Sequence, residues 1–100
     1  MAKNIAQQAA FIILDAAVAH GAESSTGSPM NLAIRRLNDV PGMVTVTDVG
    51  TSRTVDVSPI VNASIVSTYV LAFWLAQQRG VPIEEVFAEL RDTHEGLWDE

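Results

Sequence analysis

His20 and His94 can change charge near neutral pH, so acid–base or metal chemistry in this chain would have to start from them. His20 stands five residues after Asp15 and three before Glu23, a grouping that could act as an acid–base pair or part of a metal site. Two histidines and no cysteine cannot complete a usual zinc set within one chain without carboxylates or a second copy. No HExxH, GxSxG or phosphate-loop pattern accompanies them. Ser24, Ser25 and Ser28 fall in the polar stretch Glu23 to Ser28, and Ser64 and Ser67 inside an apolar run, where no base is placed to activate a hydroxyl. The sequence therefore predicts no enzyme, with no catalytic residues, no cofactor and no metal. His94 is the one titratable group on an apolar helix face, and it is a candidate pH-sensitive contact.

The other polar candidates concern recognition. Arg35 and Arg36 on a short helix, followed by a hairpin carrying Arg53, have the outline of a winged helix with its recognition helix and wing. Asp39 lies four residues after Arg35 and is expected to pair with it, and Asp48 is expected to pair with Arg53. Six bases spread over 100 residues, and a pI near 4.6, make no cluster for nucleic acid. Charge is concentrated elsewhere. The last 17 residues hold seven carboxylates against Arg91, whereas the first 83 balance five acids against five bases. Glu84, Glu85, Glu89, Asp92 and Glu95 share one side of the final helix. They form an acidic face that could meet a basic partner or simply confer solubility.

The elements that position these residues follow from periodicity and punctuation. One hundred residues, 48% of them apolar, suit one domain with a real core. Helices are expected over about 4–20, 29–39, 59–78 and 82–98, with a hairpin over about 43–58. Ser28-Pro29 and Ser58-Pro59 read as the same start signal twice, serine capping and proline in the first turn. Gly21, Pro41-Gly42 and Arg79-Gly80 are stop signals.

The first helix carries two apolar stripes. One is Ile5, Ala9, Ile12 and Ala16; the other is Phe11, Leu14 and Val18. The second helix is expected to turn Met30, Ala33, Ile34 and Leu37 inward. In the hairpin, pairing Val46 with Val55 places Val44, Val46, Val55 and Val57 on one face and sets Asp48 opposite Arg53, around a loop Val49-Gly50-Thr51-Ser52. The third helix lies inside an uncharged run of 22 residues, Val57 to Gln78, and has no polar face. Val66, Val70 and Trp74 lie on one side of it. Its stretch Ile60 to Ala76 is 17 residues interrupted by Asn62, Ser64, Ser67 and Thr68, short of the ~20 apolar residues of a bilayer span. Burial in protein is the expectation. The last helix gathers Ile83, Val86, Phe87, Leu90, Leu97 and Trp98 in one apolar arc.

The stretch Leu75 to Asp92, LAQQRGVPIEEVFAELRD, resembles the helix-turn-helix endings of small uncharacterised proteins of actinobacteria and their phages. The resemblance implies a small accessory protein and assigns no site residue. The expected fold is mostly α with a β-hairpin, in the order α-α-β-β-α-α. It is one domain over residues 1–100, with the apolar third helix at the centre of a packed or intertwined homodimer. Phe11, Leu14, Val18, Val66, Val70 and Trp74 are its interface candidates. The expected activity is protein–protein contact in the cytoplasm, as a phage or host accessory factor. A dimeric winged-helix-like regulator is the first alternative and a small membrane-associated protein the second.

Overall fold

A computed structural model describes residues 4–21 and 29–98. They form α1 (Ile5–Gly21), α2 (Pro29–Asn38), β1 (Thr45–Val49), β2 (Ser52–Asp56), α3 (Ser58–Arg79) and α4 (Ile83–Leu97). This is the expected α-α-β-β-α-α order, with each helix end within one residue of its expected place. The Glu23–Ser28 stretch, the Ser28 cap, Lys3 and the two terminal carboxylates lie outside the described residues. The chain divides into two compact units, Met1–Ile65 and Val66–Glu100, so that α3 contributes residues to each.

The first unit is built on α1. Asn4 caps that helix, its side-chain oxygen accepting from the amides of Ala6 at 2.7 Å and Gln7 at 3.3 Å. Ala9 and Ile12, from the first of the two α1 stripes, are buried with Leu37 of α2, Met43 of the following turn and Ala63 of α3. Met43 was expected to begin the hairpin; it is instead fully buried, a plug under α1. The turn ahead of it comes close enough to touch the start of α1. At Gly42, with φ +85°, a Cβ would lie 2.9 Å from Ile5 Cδ1.

Two expectations for α2 need correcting. Leu37 is buried and Ala33 half-buried, but Met30 and Ile34 are exposed. The helix is rotated so that its Pro29–Ala33–Arg36 side faces α1, and Arg36 reaches Asp15 across that contact at 3.1 Å. Among the described residues Arg36, rather than Arg35, therefore takes the carboxylate partner.

The hairpin has the expected register. Val46 faces Val55, Thr47 faces Thr54 and Asp48 faces Arg53, the last pair joined at 2.8 Å. Val49 and Ser52 are also paired, so the connection is the two-residue Gly50-Thr51 turn rather than a four-residue loop, and Gly50 supplies its φ of +59°. All ten strand residues are exposed. The start of α3 differs from expectation too. Asp56, not Ser58, provides the capping oxygen, accepting from both the amide and the hydroxyl of Ser58. Ser58 becomes the first helical residue, and the amides of Ile60 and Val61 donate to the Val57 carbonyl.

In the second unit, α3 ends at Gly80 with φ +66°, where the Val81 amide donates back to the Ala76 carbonyl at 3.1 Å. Pro82 then precedes α4, and Glu84 and Glu85 occupy its first turn, where the helix dipole favours anions. Ala72 and Ala76 of α3 are buried against Val86, with Val81, Ile83 and Phe87 around them. The apolar arc of α4 is used only over its first half. Leu90 is at the margin, and Leu97 and Trp98 are exposed, because the core in this unit ends with the Ala72 turn of α3.

The close approach at Gly42 makes a stability prediction. Gly42→Ala should lower unfolding free energy by about 1–2 kcal/mol, the usual cost of a positive φ for an L-residue. It should lower it more than Gly50→Ala, where no atom lies within 4 Å of the added methyl. Urea midpoints of the two variants check this.

Candidate functional site

Three surfaces collect the residues singled out by sequence. The first is the outer stripe of α1. Phe11 and Leu14 are exposed and Val18 is 73% exposed, on the side of the helix opposite Ala9 and Ile12. The two stripes of α1 thus differ, one buried at Ala9 and Ile12 and the other solvent-exposed.

The second surface is the part of α3 outside the buried Ala72 and Ala76. Val66, Val70, Phe73 and Trp74 follow the i, i+4, i+7, i+8 spacing of a single helical stripe. Val70 is half-buried, whereas Val66 and Trp74 are 53% and 62% exposed. Tyr69 and Phe73 stack along the helix with centroids 6.4 Å apart. The helix that was expected to be surrounded by protein is covered by its own chain mainly where its side chains are alanines. Ser64 closes its own hydrogen bond within the helix, donating to the Ile60 carbonyl at 2.9 Å.

The third surface is the acidic side of α4. Glu84, Glu85, Asp92 and Glu95 are exposed there. Glu89 is committed differently from expectation: Arg79 clamps it with two hydrogen bonds of 2.9 and 2.8 Å, tying the end of α3 to the middle of α4. Those hydrogen bonds from Arg79, and then its charge, hold the Glu89 carboxyl below its ordinary range, and Glu89 in return raises Arg79. Asp56 is likewise lowered, first by the Ser58 hydroxyl and then by the Ser58 amide.

His94 lines a cleft of about 470 Å³ between α3 and α4 together with Thr68, Phe87, Leu90, Arg91 and Glu95. Its Nδ1 accepts from the indole Nε1–H of Trp98 at 2.9 Å. The i, i+4 spacing of His94 and Trp98, which in sequence marks only a shared apolar arc, is the spacing that brings the two rings together. Asp15, which sequence placed near His20, is turned to Arg36 instead. No group of three or more His, Asp and Glu side chains among the described residues is arranged to hold a metal ion. Comparison with protein-family models, curated proteins and solved structures finds no match to this chain.

The Arg79 clamp has a pH signature. A carboxyl lowered in the fold contributes stability that is present above its unfolded value of 4.5 and is lost as pH falls through the lower folded value. The urea midpoint of Glu89→Gln should therefore lie below that of wild type at neutral pH. The gap should narrow as pH falls below that unfolded value and close in strong acid.

Proposed function

We propose that this chain is a small homodimeric interaction protein of the cytoplasm, an accessory factor that acts by protein–protein contact. In this reading a second copy covers the apolar stripes, and the acidic side of α4 is left to meet a basic protein. The observation that carries it is the state of α3: its most apolar 18-residue window has a mean hydropathy of 1.5, yet only 17% of it is buried. Eight large apolar or aromatic residues of α3 are exposed: Val61, Ile65, Val66, Tyr69, Leu71, Phe73, Trp74 and Leu75. At about half exposure and ~150–200 Å² per side chain they present roughly 700 Å². This area is distributed around the helix rather than gathered on one side, so more than one neighbouring surface is needed to cover it.

The same helix is long and apolar enough to cross a membrane, which supports the second reading. The arrangement of the second unit weighs against it. Phe87, Leu90 and His94 of α4 lie along α3 as far as Thr68, and Glu89 is held on Arg79. A bilayer around α3 would either bring the carboxylates of α4 into hydrocarbon, at a few kcal/mol each (about 2.5–3.5 for Asp on insertion scales), or strip α4 away. A winged-helix regulator draws less support, since Arg36 and Arg53 are both engaged by carboxylates of this chain.

Sedimentation at micromolar concentration should give a particle of twice 10.8 kDa. Val66→Glu and Leu14→Glu should each shift it toward monomer, because both place a charge where apolar surface is to be buried. A clean monomer for wild type, or partition of the intact protein into detergent, would overturn the dimer. Replacing Glu85, Asp92 and Glu95 together by their amides should leave the dimer intact, since exposed charges add little to stability. It should flatten the salt dependence of binding to a basic partner.

A further inference from the structure

We propose that His94 and Trp98 form a proton-operated latch on the last turn of α4. The geometry sets how it works. The imidazole Nδ1 and the indole Nε1 are 2.9 Å apart, the ring centroids are 6.3 Å apart and the planes differ by 5°. With nitrogens this close and centroids this far apart, the rings lie edge to edge in nearly one plane, not face to face. That is the arrangement in which the in-plane lone pair of an imidazole nitrogen receives an N–H. Indole Nε1 can only donate, so His94 must offer an unprotonated nitrogen.

Protonation removes the acceptor. Both nitrogens of an imidazolium carry hydrogens, so turning the ring over cannot restore it, and two N–H groups would then point at one another. An edge-to-edge pair also lacks the face-on contact through which a cation is attracted to an aromatic ring. Trp98 is 76% exposed, so little packing holds it once that bond is gone. What remains is the backbone bond of the same turn, Trp98 amide to His94 carbonyl at 3.2 Å.

The charged groups beside His94 in the cleft are Arg91 and Glu95, both from α4, while α3 contributes the neutral Thr68. The two charges are of opposite sign, and histidine is the side chain type whose charge changes near neutral pH. With the imidazole neutral, the end of α4 presents an aromatic pair joined edge to edge beside the cleft. With it protonated, the same site presents a cation next to Arg91 and a released indole.

The test uses the intact ¹⁵N-labelled protein. Its two indole N–H resonances, from Trp74 and Trp98, are assigned with Trp98→Phe and followed from pH 8 to pH 5. The Trp98 resonance should move upfield as the His94 ring protons titrate, with a shared midpoint, while that of Trp74 stays in place. In His94→Gln the side-chain oxygen can accept the indole N–H at every pH, so the Trp98 resonance should be flat across the range. Circular dichroism of that variant confirms that α4 is retained. A Trp98 resonance that does not move in wild type, or that still titrates in His94→Gln, would overturn the latch.

Discussion

The structure depends on α3 having no polar side. With 21 of its 22 residues uncharged, α3 cannot turn a charged face to water and keep another for the core, so its neighbours have to cover it. The chain's own share is small and falls on small residues. Of the eight buried apolar residues among those described, four are alanines: Ala9, Ala63, Ala72 and Ala76. Met43 and Val86 are the largest side chains that are fully enclosed. Alanine admits close approach of a neighbouring helix but removes little apolar area from water, on the order of one methyl group's worth, ~0.8 kcal/mol. Most valines, leucines and aromatics of α3, which would contribute several times more each, are exposed instead. Most of the burial energy written into this sequence is therefore still unspent within one copy.

Charge is used in the opposite way, locally and on the outside. Among the described residues, three arginines form ion pairs that each join neighbouring elements: Arg36 to Asp15 between α2 and α1, Arg53 to Asp48 across the hairpin, and Arg79 to Glu89 between α3 and α4. All three pairs are solvent-exposed, so they select orientation more than they add stability. The arrangement also consumes positive charge that a nucleic-acid surface would need. It leaves the acidic residues of α4, other than Glu89, as the strongest unneutralised field on the described surface.

What was legible in the sequence is what short-range rules control. The hairpin register follows from the alternation of Val44, Val46, Val55 and Val57 together with the Asp48–Arg53 match, and the structure has that pairing. The two stripes of α1 follow from the 3.6-residue repeat. Periodicity says which residues share a face; it does not say where the neighbouring element ends. For that reason Leu97 and Trp98 share the apolar arc of α4 in sequence yet extend past the core in the structure. The rotation of α2 was likewise hidden, since Ile34 and Ala33 are both apolar and the balance is tipped by Arg36 reaching Asp15, 21 residues away. The capping of α3 by Asp56 was masked by the adjacent Ser58-Pro59, which carries the more familiar start signal.

The uncovered surfaces were legible as stripes, but what covers them was not, because a second copy leaves the same mark on a sequence as a lipid or a foreign helix. The second unit narrows that choice. A helix pair with a polar outer side and a naked inner side completes itself most simply with another pair of the same kind, and two-fold closure lets one stripe serve as its own partner. Here α4 supplies the polar outer side, with Glu84, Glu85, Asp92 and Glu95 exposed, and the Val66–Val70–Phe73–Trp74 stripe is the side without one. Apolar burial also has no preferred direction, whereas the acidic side of α4 repels its own copy. Two chains meeting through α3 would bury the stripe and keep the carboxylates apart; meeting through α4 would do neither. In the proposed dimer the charge distribution and the apolar distribution thus call for the same orientation.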